Sequence, residues 1–306
     1  MHNRYSQLLA LVITLVALIF LSLWGGLNQL LILNFLIFGI LAVGINLSYG
    51  FINYVPFGYA GIFGIGAYAL GISITLMHVS SIVGVLIGGV AGMICGLILL
   101  PLLRLKGAYF AVATLAAAEL LHKIVANPIL AEWTQGPYGL DLHLTGHSSL
   151  GLYLSLFLLL GGVIFTVFLR TSIFGRSLLA AKDNPLSAQA AGIPVYGGRM
   201  IIWLVSSVIA GLAGAIYALN VKFFYPDTVF DLSFSLFPLI FAILGGVGTA
   251  IGPLVGTLLL YGLYTLIGLK MPDVFQMLFG FVVIIVMLSL PGGLVGWARK
   301  RGIDLV

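Results

Sequence analysis

Long apolar runs, separated by short polar stretches, constrain this chain more than any other feature of its sequence. Runs such as 58–77, 79–103 and 150–169 are long enough to cross a bilayer as helices, which takes about 20 residues. Only 7% of the residues are charged, whereas a soluble domain carries about a quarter. Backbone polar groups in hydrocarbon must be satisfied within the protein, so these runs fold as helices. We therefore predict an all-α integral membrane protein in which residues 1–306 form one transmembrane domain.

About eight to ten crossings are expected, because the polar stretches divide the chain into ten apolar segments. These segments are 8–24, 27–47, 58–77, 79–103, 107–126, 150–169, 200–220, 234–244, 251–269 and 274–295. The chain is interrupted near Asn53 and near Gly245, so some segments are predicted to be re-entrant or broken rather than full crossings.

The distribution of Lys and Arg predicts the orientation, since cytoplasmic loops carry an excess of these residues. The N-terminus, the turn at Arg104 and Lys106, the 170–199 segment and the basic C-terminal tail are placed on the cytoplasmic side. The loops 127–149 and 221–232 are placed outside. The net charge of +5 follows from this arrangement and gives no reason to expect a nucleic acid partner; membrane lipid surrounds the chain.

The 170–199 segment is the most structured of the polar stretches. Residues 176–182 are good helix formers. Asn184 is then a predicted N-cap, Pro185 a first-turn proline and Gly192 a left-handed stop. The pattern predicts a short capped helix held in water beside the membrane domain.

One face of this short helix is predicted to be apolar. Leu186 and Ala190 are four residues apart, with Ile193 just beyond them. A helix of this kind is suited to a groove on a partner protein. The alternative that the residues alone leave open is a surface loop without a partner.

Two glycine-rich stretches in corresponding halves, Gly58–Gly66 and Gly245–Gly256, are read as breaks in apolar runs. In transporters such breaks often line the solute path. They are equally typical of close helix packing, as is the stripe of glycines at every fourth residue from Gly84 to Gly96. The candidate path residues are Tyr59, Gly61, Gly64, Gly66, Glu119, Gly245, Gly246 and Gly248.

Glu119, His122 and Lys123 form the ionisable cluster that lies well inside a predicted span. Ionisable groups at such positions are functional candidates, but Glu119 and Lys123 are also spaced to form a simple ion pair. The sequence has no P-loop, no Cys/His cluster with metal spacing and no catalytic arrangement, so we expect no enzymatic activity and no bound metal or cofactor.

Three segments together resemble a known family. GAYFAVATLAAAEL (107–120), FGRSLLAAKDNPLSAQAAGIPV (174–195) and AILGGVGTAIGPLVGTLLL (242–260) are similar to the LivM-type permease subunits of branched-chain amino acid ABC transporters, and 45–69 matches more loosely. The resemblance implies that 176–193 is a coupling helix. It assigns the contact with an ATPase to Arg176, Lys182, Asp183, Asn184, Pro185, Leu186, Ala190, Gly192 and Ile193.

The resemblance further implies a place in a bacterial inner membrane and a set of partners. These are two ATP-binding subunits that carry ATP and Mg²⁺, a second permease forming a homo- or heterodimer, and an extracytoplasmic solute-binding protein. Two departures from the family pattern, at 55–59 and 133–137, leave urea, amides or another small polar solute as alternative cargo. A channel or ion-coupled transporter that uses Glu119 or Lys123, and a structural scaffold, are the competing classes.

Overall fold

A computed structural model of the chain describes residues 29–142, 149–265, 271, 277, 280–281, 284 and 293–300. The predicted run 8–24 and most of 274–295 lie outside the described residues. The α-helices are α1 (Gln29–Ile52), α2 (Tyr59–Met77), α3 (Ser81–Ile98), α4 (Ala108–Val125), α5 (Ala131–Thr134), α6 (Ser149–Thr171), α7 (Ile173–Asp183), α8 (Pro185–Ala190), α9 (Val195–Val221), α10 (Pro226–Val229), α11 (Ser233–Gly245), α12 (Gly252–Leu263) and α13 (Gly293–Lys300). Short 3₁₀ helices occupy Leu100–Arg104, Pro128–Leu130 and Gly136–Tyr138.

The helices confirm the prediction of an all-α, multi-pass membrane protein. Within the described ranges, seven helical stretches are long and apolar enough to cross a membrane: α1, α2, α3, α4, α6, α9 and the stretch formed by α10 and α11. The run predicted at 251–269 contains the shorter apolar helix α12. Helix α9 begins at Val195, five residues before the predicted start of its span. Arg199, although charged, therefore lies inside α9.

Helices α1, α2 and α9 form the centre of the molecule. In each of them 67% of the most apolar window is buried, compared with 28% in α4 and 33% in α6. The fully buried aromatic side chains Trp203, Tyr59 and Phe63 lie in this centre. Helices α4 and α6 therefore form the periphery and present most of their apolar surface outward.

Glycines allow the central helices to approach closely. A Cβ atom on Gly92 would lie 2.8 Å from Gly211 Cα, and one on Gly88 would lie 2.5 Å from Ala215 Cβ. The indole Nε1 of Trp203 donates to the carbonyl oxygen of Gly96 at 2.9 Å. These contacts confirm that the Gly84–Gly96 stripe of α3 is a packing face; its partner is α9 from Gly88 to Gly96 and α2 at Gly84.

The two loops that were predicted to share the outer side are joined to each other. Strands β1 (Leu140–Asp141) and β2 (Phe223–Phe224) pair antiparallel, with Leu140 opposite Phe224. At the other end of the molecule, the Tyr54 hydroxyl donates to the Leu103 carbonyl oxygen at 2.7 Å. This end holds the termini of α1 and α3 together with α7 and α8.

Candidate functional site

Helix α8 is capped as its sequence indicates. The Asn184 side chain accepts a hydrogen bond from the Ser187 N–H at 3.1 Å, and Pro185 is the first residue of the helix. Gly192 has a φ of 81°, a left-handed conformation that glycine adopts without steric cost. The predicted local geometry around the 184–192 helix is confirmed.

The segment is not one continuous helix from 176 to 193. Helix α7 ends at Asp183, Asn184 has extended backbone angles, and α8 starts at Pro185. Proline disfavours helical geometry in the residue before it, which explains the break. The single coupling helix implied by the resemblance is therefore wrong in this detail, and α7 and α8 are two helices.

Helix α8 has an outer and an inner face. Leu186 is 79% exposed and Ala190 is also exposed, whereas Ala188 is buried against Ala181 and Val195. Ile193 packs against this inner cluster. The expectation that Ile193 continues the outer apolar face is wrong, because the chain reverses at Gly192 and turns Ile193 inward.

Lys182 connects this segment to the centre of the bundle. Its Nζ donates to the Gly50 carbonyl oxygen at 2.9 Å, near the C-terminal end of α1. A carbonyl at that position has no partner within the helix, so a lysine is well placed to satisfy it. Partial burial of the ammonium group lowers the pKa of Lys182, and nearby Asp183 opposes that change.

Gly50 touches the second break in the chain. A Cβ on Gly50 would lie 2.7 Å from Gly248 Cα, so the two backbones are in direct contact. Asn46, one turn earlier in α1 and fully buried, accepts from the Gly248 N–H at 2.7 Å and donates through Nδ2 to the Thr249 carbonyl oxygen at 2.9 Å. The loop between α11 and α12 is thereby fixed to α1.

The loop itself has a backbone that requires glycine. Gly246 and Gly248 have φ values of 123° and 78°. The Thr249 hydroxyl donates to the Gly246 carbonyl at 2.7 Å and accepts from the Gly252 N–H at 3.0 Å. Gly245 lies directly against the Gly252 carbonyl. The predicted break at 245–252 is confirmed as a compact turn between two helices.

The first glycine-rich stretch is different from the expectation. Gly61, Gly64 and Gly66 lie inside α2, which is continuous, and the interruption lies before it at 53–58. A Cβ on Gly61 would be 2.8 Å from Ala118 of α4, and Gly66 lies against the Gly211 carbonyl of α9. The neighbouring backbones leave no room for a side chain at these positions, so glycine is what allows the helices to contact each other there.

Tyr59 is fully buried at the start of α2. Its hydroxyl donates to the Ser206 carbonyl at 2.7 Å, and the Ser206 hydroxyl donates to the Gly44 carbonyl at 2.9 Å. The side chain thus joins α2 to α9 and, through Ser206, to α1. Its part in a solute path stays a prediction.

Glu119 lies on the exposed face of α4, with 61% of its side chain accessible to solvent. Its carboxylate lies 3.2 Å from Lys123 Nζ and 3.7 Å from His122 Nδ1. His122 Nε2 also lies 2.9 Å from an Asp227 carboxylate oxygen, close to the paired outer loops. The structure confirms the spacing-based ion pair but does not bring Glu119 together with the glycines of the two breaks.

An aromatic cavity of about 230 Å³ lies between α1, α9, α11 and α12. Its lining residues are Asn34, Phe38, Tyr217, Ser233, Phe234, Phe237, Phe241, Leu260, Tyr261 and Tyr264. The ring of Phe38 is within 6.1 Å of the rings of Phe234, Phe237, Phe241 and Tyr261, centroid to centroid. The sequence analysis missed this cavity, although the spacing of Phe234, Phe237 and Phe241 on one helical face was available as a signal.

Within the part of the chain that the structure describes, no group of three or more His, Cys, Asp or Glu side chains is placed to hold a metal ion. The polar contacts at the centre are instead hydrogen bonds that join helix ends, with Lys182, Asn46 and Tyr59 as donors. Such an arrangement fixes the ends of neighbouring helices to one another.

Comparison with known proteins gives one matching family description. A family model described as "Branched-chain amino acid transport system / permease component" matches residues 27–287. The match covers α1 to α12 and therefore includes α8, the Asn46 contacts and the aromatic cavity.

Individual relatives are similar at low identity. The "High-affinity branched-chain amino acid transport system permease protein LivM" of Escherichia coli is 24% identical over 305 residues, covering 87% of this chain and 69% of the relative. The "L-arabinose ABC transporter permease protein AraH" of Azospirillum brasilense is 27% identical over 182 residues, covering 58% and 52%. The "Autoinducer 2 import system permease protein LsrC" of Klebsiella pneumoniae is 29% identical over 183 residues, covering 57% and 51%. No solved structure matches the chain.

Proposed function

This chain belongs to the family of branched-chain amino acid transport system permease components, and on that premise we propose that it is a transmembrane permease subunit of an ABC importer. It forms a solute path by alternating access, in which partner ATPase subunits supply the driving force. The chain itself binds no nucleotide and catalyses no reaction; ATP and Mg²⁺ are held by the partners.

The observation that carries this proposal is a continuous set of contacts between the exposed helix α8 and the broken helix pair α11–α12. Asn184 caps α8 and directly follows α7, where Lys182 donates to the Gly50 carbonyl. Gly50 touches Gly248, and Asn46 holds the same loop through two hydrogen bonds. These packed and bonded groups offer a contiguous route by which movement of α8 would be transmitted to the α11–α12 loop.

The proposed orientation places α7 and α8 in the cytoplasm of a bacterium, with the chain in the cytoplasmic membrane and both termini inside. The cations Arg104, Lys106, Lys182 and Arg199 support it, because they gather at the end of the bundle where α8 lies. The pairing of β1 with β2 supports placing the 127–149 and 221–232 loops together on the outer face. There we propose that the exposed Glu132 and the neighbouring strand β1, which contains Asp141, face a solute-binding protein.

The proposed cargo is a branched-chain amino acid or a related small solute. Relatives whose names specify branched-chain amino acids, arabinose and autoinducer 2 support a small solute, and urea or amides remain alternatives. The aromatic cavity supports an aliphatic group on the cargo, since rings line it and the amide of Asn34 and the hydroxyl of Ser233 offer a few polar contacts. We propose this cavity, rather than Glu119, as part of the path.

The proposed assembly contains two ATP-binding subunits, a second permease and an extracytoplasmic binding protein. The second permease is proposed because the family resemblance implies a pair of permease subunits. Whether the two permeases are the same chain is decided by the purification described next.

The test is a purification of the tagged full chain from native membranes in mild detergent, with co-purifying proteins identified and quantified. Wild-type chain is expected to retain a P-loop ATPase, whereas the double variant L186D/A190D is expected to lose it and to lose solute uptake. Leu186 is 79% exposed, so charging it removes an apolar contact without disturbing the fold. The matched control is Ile129→Asp, an 85% exposed apolar residue at the opposite end, which should retain the ATPase.

An ATPase that stays bound to L186D/A190D, together with normal uptake, would refute the coupling role of α8. Recovery of the chain alone from wild-type membranes would instead favour an ATPase-independent channel or ion-coupled transporter. In that case Glu119, His122 and Lys123 become the residues to test.

A further inference from the structure

A second cavity, of about 530 Å³, opens beside α8 at the end of the bundle where the cations gather. Its walls come from the end of α1, the start of α4, the α7–α8 segment and the start of α9. Three charged side chains line it, Lys106, Lys182 and Arg199, and all three are cations. We propose that this cavity binds the phosphate headgroup of an anionic phospholipid.

The protein compensates the charge of the cavity only in part, through Asp183 beside Lys182. Among the residues that the structure describes, none of these three cations has a carboxylate within ion-pairing distance, and Asp183, the nearest acid along the chain, is not part of the lining. Three positive charges gathered in a partly desolvated cavity repel one another. A bound phosphate would remove that repulsion, because lysine and arginine both bind phosphate oxygens.

Donors for an anion remain available at the site. Lys182 Nζ makes one hydrogen bond, to the Gly50 carbonyl, out of the three that an ammonium group can donate. The Arg199 guanidinium lies 5.5 Å from the centre of the Tyr54 ring, with one nitrogen 3.5 Å from the hydroxyl. That stacking fixes its orientation while most of its five donors stay unused among the described contacts. The amides of Asn53 and Gln189 also line the cavity.

The cavity lies at the ends of membrane helices, where lipid phosphates are expected. Ile52 is the last residue of the apolar helix α1, Lys106 and Gly107 directly precede α4, and Arg199 lies in the second turn of α9. The cavity is therefore at the ends of three membrane helices, where basic pockets between helices typically bind anionic headgroups. An acidic segment of a soluble protein would have to reach this level from the aqueous side.

An apolar surface for the acyl chains begins next to the cations. Tyr109 is 77% exposed and Val112 is also exposed, two and five residues after Gly107 in α4. Helix α4 is the least buried of the seven membrane helices. A tyrosine at this level is typical of the interface between headgroups and hydrocarbon. A phospholipid, which carries both a phosphate and chains, fits this combination better than free phosphate does.

A bound headgroup would also contact α8 and its cap, because Asn184, Leu186 and Gln189 line the same cavity. It would hold α8 against the ends of α1 and α4. Lipid binding itself requires only the cavity, whereas an effect on ATPase coupling rests on the proposed function.

The test is native mass spectrometry of the purified full chain titrated with short-chain phosphatidylglycerol, phosphatidylcholine of the same chain length, or inorganic phosphate. Phosphatidylglycerol is expected to bind the most tightly. Lys106→Gln should weaken its binding about fivefold, as expected for one basic residue near an anionic headgroup. The control is Arg104→Gln, which removes the same charge two residues away at an exposed position that does not line the cavity.

Lys106 is exposed, and among the contacts of the described residues it makes no hydrogen bond that a glutamine would break, so the variant is expected to fold. Equal binding of the two lipids, or an equal loss in R104Q and K106Q, would overturn the proposal, as would phosphate that binds as tightly as phosphatidylglycerol. Displacement of the lipid by an acidic peptide such as polyglutamate at micromolar concentration would instead assign the cavity to a protein partner. Because lipid binding is measured directly, failure of the proposed transport function would leave the result unchanged.

Discussion

Replacing Asn46 by alanine tests the contact between α1 and the α11–α12 loop. The side chain is fully buried and makes two hydrogen bonds, to the Gly248 N–H at 2.7 Å and the Thr249 carbonyl at 2.9 Å. Alanine removes both hydrogen bonds at once and leaves a part-buried donor and a buried acceptor in the loop. The expected result is a loss of stability combined with a loss of coupling.

Two energy scales for the loss of a hydrogen bond give different values for the destabilisation expected of N46A. Each orphaned buried group costs about 1–3 kcal/mol in water-soluble proteins, which gives about 2–6 kcal/mol for two. Side-chain hydrogen bonds between membrane helices average about 0.6 and reach about 1.7 kcal/mol, which gives about 1–3 kcal/mol. The second scale applies here, because groups released within a membrane find other partners. We therefore expect N46A to lower the free energy of unfolding by about 1–3 kcal/mol.

The measurement is unfolding by SDS in mixed micelles, followed by circular dichroism, with solute uptake measured in proteoliposomes containing the partner ATPases. The matched control is Ser48→Ala, two residues later in α1. Ser48 is equally buried, and its hydroxyl has no hydrogen-bond partner among the described contacts. Because that hydroxyl is already unpaired in the folded protein, its loss should not lower stability.

A double-mutant cycle extends the test to Lys182. N46A and K182M should couple by at least about 0.5 kcal/mol, because both residues hold the Gly50–Gly248 contact. K123M, at the other end of the molecule, should be additive with N46A. The reasoning is refuted by an N46A variant as stable as S48A, or by additivity of N46A with K182M.

Two further predictions concern the other residues considered for a solute path. Gly66→Ala should destabilise the protein by about 1–3 kcal/mol, because its Cβ would overlap the Gly211 carbonyl and force α2 away from α9. Gly161→Ala, with no atom within 4 Å of its Cβ, should be neutral or stabilising in the same SDS unfolding measurement, and equal effects of the two variants would contradict the packing role. Glu119→Gln should leave stability and uptake near wild type, since its ion pair with Lys123 is largely exposed and screened by solvent. A loss of uptake in E119Q without a loss of expression would return Glu119 to the path.

Local sequence predicted the elements whose geometry depends on neighbouring residues. The cap at Asn184, the first-turn Pro185 and the left-handed Gly192 follow from the conformational preferences of those residues. The glycine stripe of α3 was predicted as a packing face, because every fourth residue returns to the same side of a helix. The apolar runs likewise predicted the membrane helices, since a bilayer leaves a chain few alternatives.

The candidate site was predicted only in part, because its contacts join residues far apart in the chain. Asn46 and Thr249 are 203 positions apart, and Lys182 and Gly50 are 132 apart. A lone asparagine in an apolar run signals a buried partner. The apolar run around Asn46 does not indicate which residue that partner is.

The sequence by itself determined that this protein is helical, lies in a membrane and carries a capped segment in water. Period, length and capping are local properties, and they are the same whatever the rest of the chain does. Only the tertiary structure decided that Ile193 turns inward, that α7 reaches Gly50, and that Asn46 and Gly50 of α1 meet the loop at 246–251. These outcomes depend on how the helices pack against one another across the whole fold. Packing brings together residues whose shapes fit and whose hydrogen-bonding groups can pair.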